Sequence, residues 1–148
     1  MNNWFECKVT YEKAGDDGLL TKTTESYLVD TINFTEAENR ITAELEPFVT
    51  GDFIINGIKK VKIAEIIDSE VETDDKWWKA KVVLVMIDEE KEVEKYVGVF
   101  DYIKAETLEV AIKYLTDFME DSVYPYKISS IVETPIVDIF KYELSKDK

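Results

Sequence analysis

The stretch from Phe53 to Ile67, FIINGIKKVKIAEII, returns 73 positions later as Tyr126 to Phe140, YKISSIVETPIVDIF. Ile55, Ile58, Ile63 and Ile66 fall on Ile128, Ile131, Ile136 and Ile139, and Glu65 falls on Asp138. The same shift carries Trp4, Lys8 and Val9 onto Trp77, Lys81 and Val82. An offset that holds at both ends of a segment marks a duplicated unit. The chain therefore reads as a single domain, 1–148, made of two internal repeats, 1–73 and 74–148. Tyr27 and Tyr96 align at a shorter offset of 69, which predicts a tighter hairpin turn in the second repeat.

Each repeat carries the same periodicities. Residues 3–12 alternate, with Phe5, Cys7, Val9 and Tyr11 on one face and Trp4, Glu6, Lys8 and Thr10 on the other, as in a half-buried strand. The turn Ala14 to Gly18 leads into a second strand over 20–32, rich in β-branched residues. Thr35, with Glu38 three places on, has the pattern of a capping box, and Ala37, Ile41, Leu45 and Phe48 supply the buried stripe of the helix it opens. A long strand over 53–67 follows, with Gly57 as a candidate bulge. The second repeat gives strands at 76–87 and 92–103, a helix over about 105–121 buried through Leu108, Ala111, Ile112, Leu115 and Met119, and a strand at 126–140. Pro135 places that last strand at an edge or a bulge. The expected architecture is α+β: tandem ββαβ units forming one six-stranded, mainly antiparallel sheet, with both helices on one face and a pseudo-two-fold axis between the halves. A closed, barrel-like sheet is the alternative.

The chemistry is narrowed by what is missing. There is no histidine and one cysteine, Cys7, so the usual general base near neutral pH, the common zinc ligands and any internal disulfide are excluded. Cys7 alternates with Phe5 and Val9 and reads as a small core residue. The acidic pairs Asp16/Asp17 and Asp74/Asp75 and the run Asp88 to Glu90 sit in turns, where carboxylates are ordinarily solvated. The expectation is a non-enzymatic protein without a cofactor or metal. The N-terminus lacks a basic and apolar leader and no apolar run is long enough to span a membrane, so a cytoplasmic location is expected.

Charge then separates two binding functions. The net charge of −14 is large for 148 residues. The acids concentrate on the helices and on the linker Asp68 to Asp75, whereas 53–63 carries Lys59, Lys60 and Lys62 without an acid, and 76–87 carries Lys76, Lys79 and Lys81 without an acid. Alternation places Trp77, Lys79 and Lys81, and in the first repeat Trp4 and Lys8, on the sheet face away from the helices. Aromatic rings beside lysines on an open sheet suit single-stranded DNA or RNA, because bases stack on rings while lysines follow phosphates. The expected nucleic-acid site is therefore Trp4, Lys8, Lys59, Lys60, Lys62, Trp77, Lys79 and Lys81. The competing expectation is that Trp4 and Trp77 are buried under a loop or in a homodimer interface, and that the acidic surface engages a basic host or phage protein, for instance as an inhibitor of a DNA-binding enzyme.

The segments WFECKVTY (Trp4 to Tyr11), YLVD…FTEAE (Tyr27 to Glu38) and ETPIVDIF (Glu133 to Phe140) together resemble a family of domains of unknown function from Bacteroidetes and their phages and mobile elements. The resemblance spans nearly the whole chain. It implies a bacterial or phage cytosolic setting and brings no catalytic residues. In plan alone, a duplicated sheet-plus-helix unit is similar to the Whirly and PUR single-strand-binding proteins, with a different order of elements.

Overall fold

The computed structural model describes residues 3–141. It contains eight strands and two helices: β1 (Trp4–Ala14), β2 (Leu20–Asp30), α1 (Phe34–Leu45), β3 (Phe53–Val61), β4 (Glu65–Ile67), β5 (Lys76–Asp88), β6 (Val93–Ala105), α2 (Leu108–Phe118), β7 (Tyr126–Glu133) and β8 (Ile136–Phe140). A 3₁₀ turn, Met119–Asp121, extends α2. The strands form two four-stranded sheets, β3-β1-β2-β8 and β4-β6-β5-β7. The single six-stranded sheet expected from the sequence is therefore incorrect, and each sheet carries its own helix rather than sharing one face with both.

The physical reason lies in the two long repeated strands, which each break in two. The ladder between β5 and β7 ends with Trp78 opposite Glu133. Thr134 still donates its backbone N–H and its hydroxyl to the Trp77 carbonyl, at 2.9 and 2.8 Å, but the following Pro135 has no N–H to continue the ladder. In the first repeat the β1–β3 ladder ends at Trp4 opposite Val61, and Ala64 then donates to the Phe100 carbonyl at 2.8 Å. Beyond each break the chain enters the other sheet. β4 pairs in parallel with β6, Glu65 beside Asp101, and β8 pairs in parallel with β2, Asp138 beside Tyr27. The compact units are thus 63–134 and, within the described residues, 3–62 with 135–141. Each repeat lends its last strand to the other repeat's sheet. That strand covers the edge of β2 or β6 that a ββαβ unit would leave unpaired.

The registers correct the alignment inside the repeat. Cys7 faces Tyr27 across β1–β2, while Ala80 faces Asp101 across β5–β6. Tyr27 is therefore equivalent to Asp101, an offset of 74, and not to Tyr96. The second hairpin is longer by one residue in all, because its ladder runs on to Asp88 opposite Val93, while its turn, 89–92, is one residue tighter than 15–19, as expected. The bulges recur as well: the register of β1–β3 shifts between Lys8 and Val9, and that of β5–β7 between Lys81 and Val82. In the first unit the extra residue is Asn56, next to Gly57.

In the first unit Phe5, Cys7, Val9, Tyr27 and Val29 pack under Ala37, Ile41 and Leu45 of α1. In the second, Trp78, Ala80, Val82, Ile103 and Ala105 pack under Ala111 and Leu115 of α2 and under Met119. The helices start differently from the capping-box reading. Asn33, not Thr35, caps α1, its side chain accepting from the Glu36 N–H at 2.8 Å, and Thr107 caps α2 through Val110. Phe48 lies beyond α1 and is exposed, and Leu108 and Ile112 lie on the solvent side of α2.

Candidate functional site

The two tryptophans expected to offer ring faces to a ligand are buried, Trp4 at 7% and Trp77 at 2% exposure. Their alternation is as expected, on the face away from the helix, but that end of each sheet is closed to solvent. Leu28, opposite Glu6 on the same face, and Tyr102, opposite Lys79, are buried too. Neither tryptophan can stack on a base in this arrangement.

The lysines divide. On the first sheet, Lys8 and Lys59 lie on the helix-free face beside an open depression of about 320 Å³ formed at the bulge with Glu6, Asn56 and Gly57. Lys59 is 3.8 Å from the Glu6 carboxylate, so that patch is partly neutralised. Lys60 sits opposite Phe5 and therefore on the helix side, and Lys62 follows the end of β3. The structure does not bring Lys59, Lys60 and Lys62 into one group. On the second sheet Lys79 and Lys81 do share a face, and the structure adds residues that sequence reasoning missed. Phe100 lies opposite Lys81 across β5–β6, with the Lys79 ammonium 4.5 Å from its ring centroid. Tyr96, 63% exposed, follows on the same face of β6, and Lys127, opposite Val83, adds a cation from β7. Gly98 lies between the two aromatics, and the Lys81 side chain runs close over it. Among the described residues the only carboxylate that strand alternation places on this face is Glu94, which accepts from the Tyr96 hydroxyl at 2.9 Å. Period-two alternation over 92–103 carries Phe100 and Tyr96 onto this face, whereas the place of Lys127 depends on the register across the bulge.

Buried carboxylates were also missed, Asp74 and Asp101 among them. Asp74, expected to be solvated in the linker, is 3% exposed. It accepts from the Glu106 N–H at 2.9 Å, the Ser69 hydroxyl at 2.5 Å and the Tyr114 hydroxyl at 2.6 Å. Burial alone would raise its pKa, but these donors outweigh burial and hold it below the usual carboxylate range. It is a clasp between the linker and α2. Asp101 is different. It is 2% exposed, lies on the helix side of β6, and its Oδ1 has no hydrogen-bond partner. Burial, with the nearby Glu65 charge, pushes it up to about 6 despite a hydrogen bond from the Glu65 backbone. It lines a cavity of about 340 Å³ beside the 3₁₀ turn. Cys7 is fully buried, and desolvation together with the Glu6 charge pushes its thiol up to about 12, so it stays neutral and unreactive. Among the described residues no three acidic or sulfur side chains converge as a metal-holding group, and no helix is long and apolar enough to cross a membrane.

The fold and its surfaces define an α+β protein of two interleaved sheet-and-helix units with one lysine- and aromatic-bearing sheet face. The chain belongs to the family described as Domain of unknown function (DUF4494), whose model matches residues 3–142. No curated protein and no solved structure matches it.

Proposed function

We propose that the chain is a non-enzymatic binding protein of a phage or mobile element that takes single-stranded nucleic acid on the helix-free face of its second sheet. One observation carries this reading: Lys79 and Lys81 on β5 and Lys127 on β7 lie on adjacent strands, Phe100 and Tyr96 lie beside them on β6, and Glu94 is the one strand carboxylate on that face among the described residues. The aromatic role assigned to Trp4 and Trp77 passes to Phe100 and Tyr96, which are less deeply buried. Lysines supply phosphate contacts, the rings supply stacking, and acids elsewhere on a chain of net charge −14 oppose non-specific adhesion to duplex.

The test is fluorescence anisotropy of an end-labelled oligo-dT of about fifteen nucleotides, a length within the range one sheet platform covers. Three phosphate contacts on a single strand predict a log–log salt slope of about −2, hence a loss of roughly twentyfold in affinity between 50 and 200 mM salt. Lys81→Glu should flatten that slope, and Phe100→Ala should weaken binding by about 1–3 kcal/mol at every salt. Absence of binding at low salt would overturn the proposal. The net charge would then favour the second reading, an acidic surface for a basic protein partner.

A further inference from the structure

Position by position, the cavity beside Asp101 is a place that the first unit fills and the second leaves open. In the first unit Tyr11, Glu25 and Tyr27 occupy it: both tyrosine hydroxyls donate to Glu25 Oε1, at 2.8 and 2.7 Å, and the Tyr27 ring stacks on Phe140 at 5.8 Å. The registers place Leu84, Val99 and Asp101 at the same three positions of the second unit. Two large aromatics and a glutamate are replaced by smaller side chains, and a cavity of about 340 Å³ results. Its floor is apolar, from Val82, Leu84, Val99 and Met119, and Phe118 and Tyr124, both more than 40% exposed, also line it. Its charged lining residues are Glu65, Asp101 and Asp121, with no lysine or arginine among them.

A buried carboxylate with an unpartnered oxygen in an apolar cavity is costly to keep, and nothing in the packing of the unit requires it, since the sister unit manages with Tyr27. We propose that this cavity binds a small organic cation, an ammonium on an apolar body of about ten heavy atoms, with the ammonium donating to Asp101 Oδ1 and the body lying on Leu84, Val99 and Met119. Volume sets the size, since about 340 Å³ is at the small end of ligand sites. Charge sets the class, because three carboxylates would reject an anion and leave a neutral alcohol with a weaker, uncharged hydrogen bond. The site is independent of the nucleic-acid face, on the other side of the same sheet.

The experiment is a backbone amide NMR titration of the full chain with 2-phenylethylammonium, and separately with 2-phenylethanol, which has the same shape and no charge. The amine should shift Val82, Val99 and Asp101 saturably in the millimolar range or below, and the alcohol at least about tenfold more weakly. Asp101→Asn should bring the amine down to the alcohol's affinity. Val99→Glu with Asp101→Tyr, which copies Glu25 and Tyr27 of the first unit, should abolish binding while the spectrum stays dispersed. Equal binding of amine and alcohol, or no saturable shifts at these residues, would overturn the proposal, and this comparison on the unaltered chain decides the matter if either variant fails to fold.

Discussion

Asp101 and Asp74 are both buried aspartates, and their surroundings push them in opposite directions. Asp101 is raised from 3.8 to about 6, so the folded state binds its proton more tightly than the unfolded chain does. Below about pH 4 both states are protonated and the group costs nothing; through pH 4 to 6 the fold loses stability, and above that the penalty is complete. Asp101→Asn should therefore be more stable than the parent at pH 8, by roughly 1–2 kcal/mol once residual hydration is allowed for, and no more stable at pH 4. Chemical denaturation at the two pH values checks this; a difference independent of pH would contradict it. Asp74 is lowered, so its contribution is present above the unfolded pKa of 3.8 and is lost as pH falls through the folded value. Asp74→Asn should cost on the order of 1–3 kcal/mol at pH 7, because it weakens charge-assisted bonds from three donors, and that cost should shrink in acid. Neither role was legible in the sequence, where Asp74 is one acid in a polar run and Asp101 sits between Phe100 and Tyr102. What burial does to a carboxylate depends on the donors that reach it, and those come from 32 and 40 residues away for Asp74.

At the scale of the element, local signals read well and positions read less well. Strands β1 and β5, both hairpins, both helices and the bulge beside Gly57 follow from alternation, helical spacing and glycine placement. The start of α1 lies before the Thr35 expected from the capping-box pattern: Asn33 has the extended backbone a cap needs, and Thr35 is already in the helix. The hairpin turns carry a further difference between the repeats. Gly18 takes a left-handed backbone, φ 81°, in the first turn, and at the offset of 74 its counterpart is Glu92, φ 55°. A side chain other than glycine in that region costs about 1–2 kcal/mol, offset in part by the extra freedom glycine has when unfolded. Glu92→Gly should thus stabilise the second unit by about 0.5–1 kcal/mol, seen as a rise in midpoint denaturant concentration with unchanged slope. A fall in the midpoint would show that Glu92 makes a contribution the turn geometry does not contain.

For the whole molecule, the exchange of β4 and β8 makes the covalent repeat and the compact unit different objects. A chain ending at Thr134 keeps every strand of the second unit and removes β8 from the first, exposing the β2 edge and the Tyr27 ring that stacks on Phe140. Amide hydrogen exchange on that shortened chain should show β5, β6 and β7 still protected and β1 and β2 opening faster; loss of protection in both units alike would show that they do not hold their structure separately. Residue order alone is enough for the α+β class, for two strands followed by a helix in each half, for the inward faces of the strands and for the segregation of acid from lysine. All of these rest on periodicity and on pairings between neighbouring segments. The tertiary structure alone decided that the repeated last strands break and cross into the other sheet, that Trp4 and Trp77 are buried, and that one unit fills with Tyr27 what the other leaves open around Asp101. The physical reason is range. A strand's alternation says which face a side chain takes, but which edge that strand pairs with, and what lies against its outer face, depends on partners as distant in the chain as β8 is from β2.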